Sequence, residues 1–520
     1  MTLHKLELAF ALHQQEKLDE ALQLYAEFLK DAPEHFDALH LMGLATYQRG
    51  RLDEAEVFFQ KAISLKSDFA QIYTSYALML QDRKRLDEAL VCYNKAISIN
   101  PDYAEAFCDR GVVLDEMKRF DEAVVSYDRA VTLMPDYAMA YNNRGGALKN
   151  LNRLEEAVAS YDKALSIDPA YAMAYSNQGV ALKGLKRIEE SLGNQDKSII
   201  LTPDYGDAYW NKGLVKLLCG DFQEGWELYE WRKKAKEPHG DRVFPKPVWS
   251  GEESLVGKTI LVHWEQGLGD SIQFSRYLSP LKRRGADVLF APQKQLRGLM
   301  RSLDVACEIV DEADPSLQFD FHIPLLSLPL VFRTDETNMP GRNPYVFADE
   351  GRIARWRDRI GSGGFRIGVC WQGSTGPIDL GRSFSVSCFG ALADISGVRF
   401  ISLHKGDGES QLQDLPRGLT IETMGADFDA GPDAFLDTAA VIMCCDLVIT
   451  SDTAVAHLAG ALGVETWLAL KYVPDWRWML DREDSPWYPK MRLFRQTSDG
   501  DWRGVFERMR VALSARRLVA

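Results

Sequence analysis

The sequence is poor in cysteine, carries no excess of basic residues and contains no long apolar run. Its 520 residues include eight cysteines, none of them in a Cys-x-x-Cys pair. This argues against a disulfide framework or a zinc site and favours a reducing compartment. The formal net charge of -14 argues against a general nucleic-acid binder, because such proteins need a basic surface. No stretch reaches the roughly 18 apolar residues of a membrane helix, and residues 1–17 lack the apolar core of a signal peptide. We therefore expect a cytoplasmic protein without a membrane span.

A 34-residue period runs through the first part of the chain. Small residues recur at this spacing, at Ala21, Ala55, Ala89, Ala123, Ala157, Ser191 and Gly225. Most are followed four positions later by an aromatic residue, and a proline closes most units. A small residue lets two helix backbones approach, and proline cannot continue a helix. The pattern resembles tetratricopeptide repeats, which are helix pairs that stack into an α-solenoid. We predict about seven units in a superhelix over residues 1–235.

One position within the repeats indicates peptide binding. Asn143, Asn177 and Asn211 occupy the same place on the first helix of three consecutive units. The outer face of that helix lines the concave groove of such superhelices, where a carboxamide can both donate to and accept from a peptide backbone. The arrangement resembles the asparagine ladder of the eukaryotic O-linked N-acetylglucosamine transferase, which implies an acceptor polypeptide in the groove. The alternative is that these asparagines only cap or solvate their helices.

The end of the last repeat is unusually aromatic. Trp226, Tyr229 and Trp231 lie within six residues, which is too many aromatic side chains for an exposed terminal helix. We expect them to pack on the domain that follows. Residues 236–257 contain several prolines and glycines and are predicted to be an ordered connector without regular structure.

The periodicity changes after Gly257. A short apolar strand at 259–263 runs into a glycine turn, a helix and a second strand at 286–290. The same order begins again at 365–370, and strands at 398–403 and 446–450 follow. This is the pattern of doubly wound α/β domains, which bind ligands outside the carboxyl ends of their strands. We predict two Rossmann-like lobes, 258–348 and 349–520, that share one cleft, the layout called GT-B in glycosyltransferases.

Four segments carry a closer resemblance. Residues 452–457, Asp-Thr-Ala-Val-Ala-His, and the turn 267–270, Gly-Leu-Gly-Asp, are similar to motifs of the bacterial heptosyltransferase family. Residues 265–277 and 474–489 resemble bacterial tetratricopeptide-linked glycosyltransferases, some of which are implicated in glycosylating flagellin. The resemblance implies an acceptor-side lobe at 258–348, with Gly267, Leu268 and Gly269 as the acceptor-side turn. It also implies a nucleotide-sugar lobe at 349–520.

The phosphates of a nucleotide-sugar donor require positively polarised groups. The helix that follows Thr450 offers its free N–H groups and the positive end of its dipole, with Ser451 or Asp452 as its cap. The donor-binding candidates on this segment are Ser451, Asp452, Thr453, Ala454 and His457. Beyond it, the candidates are Lys405 and Arg382 for the leaving phosphate, and Trp371, Gln372 and Ser374 for the base or sugar. In the alternative interpretation, His457 packs its helix on the sheet and the two basic side chains are solvated surface charges.

Inverting transfer needs a base that takes the proton of the acceptor hydroxyl. The heptosyltransferase resemblance assigns this role to Asp270. The alternative is that Asp270 caps a helix predicted to start at Ser271. His263 and Glu265 are the second and third candidates. No Asp-x-Asp element is placed to hold a metal, so we predict no metal ion and no cofactor beyond the nucleotide-sugar co-substrate.

These features lead to one hypothesis and two alternatives. In the first, the chain transfers a sugar to Ser or Thr of an acceptor protein held by the repeats, with flagellin-like proteins among the implied acceptors. In the second, a heptosyltransferase-like enzyme acts on a glycan or a lipid-linked saccharide, and the repeats serve as a scaffold. In the third, the chain is a non-enzymatic repeat scaffold.

Overall fold

Paired helices form the N-terminal part of the chain, and two parallel sheets form the rest. The computed structural model describes residues 2–235, 242–340, 343–373 and 381–519. It divides into two compact units, Met1–Leu182 and Lys183–Ala520. Within the described residues, no helix combines the length and the apolar character needed to cross a membrane.

The first unit is built from helix pairs at the predicted period. Its helices are α1 (Thr2–Gln14), α2 (Leu18–Asp31), α3 (Phe36–Gln48), α4 (Leu52–Leu65), α5 (Ala70–Asp82), α6 (Leu86–Ile99), α7 (Ala104–Glu116), α8 (Phe120–Leu133), α9 (Ala138–Asn150), α10 (Leu154–Ile167) and α11 (Ala172–Gly184), the last of which crosses the division. The second helices of the pairs carry two acidic residues in their first turn, where the helix dipole favours negative charge.

The small residues have the packing role that their spacing predicts. A Cβ atom added at Gly111 would lie 2.5 Å from the ring of Tyr127, and one at Gly145 would lie 2.6 Å from the ring of Tyr161. Both tyrosines are fully buried. The glycines of the first helices therefore make room for the aromatic residues of the second helices, which fixes how the two helices of a pair pack.

The second unit begins with three helices and continues into the sheets. The helices that precede the sheets are α12 (Ile188–Leu201), α13 (Gly206–Leu218) and α14 (Phe222–Tyr229), which a 3-10 turn at Glu230–Lys234 follows. The predicted boundaries after residues 235, 257 and 348 stay predictions. In the compact units, however, α12 to α14 belong with the sheets.

The first sheet contains four parallel strands in the order β3-β2-β1-β4. Its elements are β1 (Thr259–His263), α15 (Leu268–Phe274), α16 (Leu278–Arg283), β2 (Asp287–Ala291), α17 (Arg297–Met300), β3 (Glu308–Ile309), β4 (Phe321–Pro324) and α18 (Leu328–Val331). Strand β1 lies between β2 and β4, with His263 in register with Ala291 and Pro324. The glycine turn after β1 therefore leaves the carboxyl end of an interior strand.

The second sheet contains six parallel strands in the order β10-β9-β8-β5-β6-β7. Its elements are α19 (Glu350–Ile360), β5 (Phe365–Cys370), β6 (Val398–Ser402), β7 (Ile421–Glu422), α20 (Leu436–Ile442), β8 (Leu447–Ser451), α21 (Ala454–Ala461), β9 (Thr466–Leu470), β10 (Met491–Arg495) and α22 (Trp502–Val519). Cys370 pairs in register with Thr450, so the residues that follow β5 and β8 emerge side by side. The C-terminal part is thus α/β with parallel sheets, and the GT-B layout stays a prediction.

Candidate functional site

The glycine turn and the helix after it are held by Asp270. Helix α15 begins at Leu268, so the predicted start at Ser271 is wrong by three residues. Gly267 occupies the cap position, and its backbone N–H donates to Oδ2 of Asp270 at 2.7 Å. A glycine has no side chain to cap a helix, so the carboxylate of Asp270 closes the first turn from inside the helix.

The other oxygen of Asp270 is bound by a residue that lies far away in the sequence. Oδ1 of Asp270 forms an ion pair with Arg477, 207 residues later. The Arg477 side chain is 8% exposed and also donates to Gln273 Oε1 and to Asp475 Oδ1, each at 2.7 Å. Burial raises the pKa of Asp270, and the ion pair with Arg477 opposes that rise. Asp475 is half-buried, and its interactions with Arg477 outweigh the effect of burial and lower its pKa.

Helix α15 packs closely against helix α21 of the second sheet. A Cβ atom added at Gly269 would lie 2.8 Å from Cδ2 of His457 and 3.4 Å from Cα of Ala454. His457 is 6% exposed, its Nδ1 is 3.0 Å from the hydroxyl of Tyr488, and its ring stacks on Trp478. Burial lowers the pKa of His457 to about 3, so its imidazole is neutral at pH 7. The N-terminal turns of two helices, from two sheets, therefore meet here.

The cap of α21 differs from the prediction. Thr453 occupies the cap position, and no side chain caps the helix, so neither Ser451 nor Asp452 does. Ser451 ends strand β8, and its buried hydroxyl has no hydrogen-bond partner among the described residues. The Thr453 hydroxyl is 3.3 Å from that of Thr450. The free N–H groups at this end of the helix are therefore not satisfied by a capping side chain.

Arg382 lies beside the start of α21. A Cβ atom at Gly373, which follows β5, would lie 3.2 Å from Nη2 of Arg382 and 3.4 Å from Cγ2 of Thr453. Arg382 also acts electrostatically on Asp452, whose pKa is raised to about 6 by burial and by the nearby Asp475. The structure thus brings Arg382, Asp452 and Thr453 together at the carboxyl ends of adjacent strands.

Lys471 is a further cation at this edge. It directly follows β9, and burial lowers its pKa while Asp452 and Asp475 oppose that change. The sequence analysis did not select Lys471, Asp475 or Arg477. Residues 474–489 were singled out by family resemblance alone, because nothing in a linear sequence indicates that Arg477 contacts Asp270.

Two other candidates are engaged by the protein itself. The ammonium of Lys405 donates to the backbone carbonyls of Phe428 and Asp429. Trp371 is fully buried, stacks on His404 at 4.1 Å and donates to the carbonyl of Gly408. The predictions for Ser374 concern a residue outside the described ranges.

Gln372 and His263 are likewise engaged with neighbouring side chains. The amide oxygen of Gln372 accepts from Gln411 at 3.0 Å. His263 is fully buried, and its Nε2 is 3.3 Å from Nδ1 of His322. Burial lowers the pKa of His263 to about 3. A buried, weakly basic imidazole is a poor candidate for the base.

The asparagines of the repeats are half-buried. In the first unit, Asn177 donates to the side-chain oxygen of Asn142 at 3.0 Å, and Asn143 accepts from Asn142 at 3.2 Å. Asn211 lies in α13 of the second unit. Asn143 also donates to Sγ of Cys108 at 4.0 Å. These amides therefore bond to side chains of neighbouring repeats, and the peptide groove stays a prediction.

The aromatic end of the repeats packs on the sheets of the second unit. Trp226 donates to the carbonyl of Thr334 at 2.8 Å and contacts the ring of Trp476 edge-on. The hydroxyl of Tyr229 accepts from Gln266 in the glycine turn at 3.0 Å. Trp231 differs, because it stacks on Tyr209 of α13 at 3.9 Å.

An ion pair beside these aromatic residues joins the 3-10 turn after α14 to the start of the glycine turn. Arg232 binds both carboxylate oxygens of Glu265, at 3.2 and 2.9 Å, and neither side chain is exposed. Glu265 directly precedes Gln266, so two residues at the end of the repeats hold two consecutive residues of the turn.

Comparison with protein families identifies the N-terminal part. Models described as "Tetratricopeptide repeat" match residues 6–68, 104–137 and 138–171, and one described as "TPR repeat" matches residues 77–118. The N-terminal region consists of tetratricopeptide repeats. Repeats of this kind present extended concave binding surfaces, which indicates a protein partner.

Individual proteins resemble parts of the chain. "Protein FlbA" of Caulobacter vibrioides is 28% identical over 325 residues, which cover 58% of this chain and 53% of FlbA. The chain thus spans about half the length of that relative. A tetratricopeptide-repeat protein from Parabacteroides merdae is 16% identical, with a TM-score of 0.39, over 45% of this chain and 93% of that one. MamA is 24% identical, with a TM-score of 0.30, over 31% of this chain and 94% of its own.

Proposed function

We propose that the chain is an inverting glycosyltransferase that moves a sugar from a nucleotide-sugar to Ser or Thr of a protein held by its repeats. The observation that carries this proposal is the meeting of two helix N-termini, α15 and α21, beside Arg382, Lys471 and Arg477. Free backbone N–H groups, helix dipoles and cations are what a leaving diphosphate needs. In the proposed mechanism, these groups stabilise the charge of the leaving diphosphate without a metal ion.

The proposed chemistry assigns a task to each group. The acceptor hydroxyl oxygen attacks the anomeric carbon, the bond from that carbon to the phosphate oxygen breaks, and the hydroxyl proton passes to Asp270. The start of α21, with Arg382 and Lys471, holds the nucleoside diphosphate that leaves with the bonding electron pair. Arg477 favours the ionised form of Asp270, and a base must be ionised to accept a proton.

The non-enzymatic scaffold is the second candidate, and one observation favours it. Both carboxylate oxygens of Asp270 are already engaged, one by Gly267 and one by Arg477. A helix-closing aspartate would have the same contacts. The two candidates therefore differ in what Asp270 does, and substituting it separates them.

The test uses the purified full-length chain. A thermal-shift screen against nucleotides and nucleotide-sugars identifies the donor, because a ligand of the native state raises stability. The same sugars and a lysate of the source cells are then incubated with the chain, and modified proteins are identified by mass spectrometry. We expect Arg382→Gln to weaken donor binding, and Asp270→Asn to keep binding but lose transfer. Arg417→Gln, at an exposed arginine of the second sheet domain, is the matched control.

Two results would contradict the proposal. If no nucleotide-sugar shifts the unfolding temperature and no protein is modified, the chain is a scaffold. If transfer occurs but Asp270→Asn transfers as fast as the original chain, Asp270 is a structural residue and the base lies elsewhere.

A further inference from the structure

A second charged site lies at the opposite end of α15 from Asp270. Arg276 is in the 3-10 turn that follows α15, and it is 5% exposed. Its guanidinium lies 4.8 Å from the ring centre of Tyr345 and 5.0 Å from that of Tyr488. Nε donates to the carbonyl of Gln273, and Nη1 donates to that of Trp487 at 2.9 Å. Aromatic rings and backbone carbonyl groups therefore surround the guanidinium.

Among the residues that the structure describes, no carboxylate lies within ion-pair distance of Arg276. Burying an unpaired charge is costly, and buried charges in proteins are normally paired. Aromatic rings and carbonyls offset part of that cost. Arg232 and Arg477, two further buried arginines of the second unit, each have two carboxylate partners, so Arg276 differs from both.

Arg276 lines a cavity of about 380 Å³. The polar wall consists of Ser275, Ser279 and Arg283, whose guanidinium donates to the Ser279 hydroxyl at 2.7 Å. The remaining lining residues are Leu303, Asp304, Val305, Pro344 and Tyr345. The volume is within the range of small-molecule sites, roughly 300–1,000 Å³. Two guanidinium groups and the Ser279 hydroxyl form a donor set that suits a carboxylate or phosphate, and the cavity has only one acid among its lining residues, Asp304. The Ser275 hydroxyl donates to the carbonyl of Ile272 at 2.9 Å.

We propose that this cavity binds a small carboxylated or phosphorylated molecule of monosaccharide size, with Arg276 as its anion anchor. The anionic group contacts Arg276, Arg283 and Ser279, and the body of the molecule lies against Leu303, Val305 and the ring of Tyr345. This site is separate from the proposed donor site at α21 and does not depend on the proposed transferase activity.

The test is isothermal titration calorimetry of the full-length chain at constant ionic strength. The probes are glucuronate, which carries a carboxylate, glucose 6-phosphate, which carries a phosphate, and glucose as the neutral control. Calorimetry is preferred to a thermal shift because phosphate stabilises proteins without binding a site. We expect saturable binding of at least one charged sugar and none of glucose. Comparing glucuronate with glucose 6-phosphate shows whether the cavity prefers a carboxylate or a phosphate.

Variants locate the binding. Arg276→Lys should weaken it about tenfold or more, because lysine cannot reproduce the planar fork of the guanidinium. Arg276 also joins two parts of the unit, so this variant risks misfolding. Val305→Trp therefore serves as the second variant, since it fills the cavity from the opposite side and leaves Arg276 itself unsubstituted. Arg301→Gln, at an exposed arginine outside the cavity, is the control and should bind normally. Absence of binding by both charged sugars overturns the proposal, as does binding that Val305→Trp leaves unchanged.

Discussion

Replacing Arg232 with methionine should strongly destabilise the second unit. Arg232 and Glu265 have no exposed side-chain surface, and the two groups share hydrogen bonds of 3.2 and 2.9 Å. Arg232→Met leaves the Glu265 carboxylate buried without its partner. Removing one member of a buried ion pair costs about 3–5 kcal/mol. We expect the lower end, because Glu265 keeps a hydrogen bond from the backbone of Leu326.

The tryptophan distribution makes the assay selective. All twelve tryptophans lie between residues 210 and 502, so fluorescence excited selectively at tryptophan reports on the second unit, whereas the tyrosines lie in both units. Urea unfolding followed by fluorescence therefore isolates this transition from unfolding of the first unit. Arg510→Met is the matched control, because the Arg510–Glu507 pair is about half exposed. Exposed pairs of this kind contribute about 0–1 kcal/mol.

A double variant tests why Arg232→Met loses stability. Arg232→Met combined with Glu265→Gln removes the uncompensated charge but keeps an acceptor for Leu326. We expect it to be at least about 1 kcal/mol more stable than Arg232→Met alone, as coupled neighbours are not additive. The reasoning is refuted if Arg232→Met costs less than about 1 kcal/mol, or if the two substitutions destabilise additively.

Three further predictions concern stability. Gly269→Ala should lower the free energy of unfolding by about 1–3 kcal/mol, because the added methyl group overpacks α15 against His457. Gly363→Ala is the control and should not, because a Cβ atom there meets nothing within 4 Å. Urea unfolding measures both variants. Burial lowers the pKa of His457 to about 3, below the unfolded value near 6.5. The contribution of the neutral His457 to the free energy of unfolding is therefore complete above pH 6.5. It falls by about 2 kcal/mol by pH 5, because the unfolded state takes up a proton that the folded state does not. His457→Gln should abolish the part of this pH-dependent loss of stability that His457 causes. A chain beginning at Lys183 should fold with a cooperative fluorescence transition, and one beginning at Ala235 should not, because it lacks Arg232.

The sequence predicted regular elements well where their signal is local. The 34-residue period identified the helix pairs, and the strands β1 and β5 have the predicted bounds. The short strands β3, β4 and β7 and the late strands β9 and β10 were not identified. β3 and β7 have only two residues each, which is too short for a periodic pattern. Their pairing depends on neighbours that are distant in the chain.

The candidate site was predictable only in part, for the same reason. The sequence indicated Asp270 and Arg382 through family resemblance and Thr453 through the helix predicted to follow Thr450. The structure places these residues beside Arg477 or the start of α21. The sequence also indicated Lys405, because a lysine in a glycine-rich loop after a strand looks suited to phosphate. Backbone carbonyls of Phe428 and Asp429 bind that lysine instead. A single sequence contains no signal for such a contact.

The charges around α21 lead to a prediction about the proposed donor. Arg382, Lys471 and Arg477 are accompanied by Asp270, Asp452 and Asp475, so the cluster has no net excess of positive charge. An added diphosphate would therefore meet unfavourable carboxylates unless one of them became neutral. Asp452 is the group most readily neutralised, because burial and Asp475 already raise its pKa to about 6.

A bound anion near Asp452 would raise that pKa further. Above pH 6, donor binding should therefore be accompanied by proton uptake, and affinity should decrease as the pH rises from about 6 to 8. Titration calorimetry in two buffers of different ionisation enthalpy measures the proton uptake. In the Asp452→Asn variant this side chain is already neutral. The affinity of the variant for the donor should therefore be independent of pH over this range, and donor binding should no longer take up a proton. Equal proton uptake by both proteins would show that the diphosphate does not lie beside Asp452.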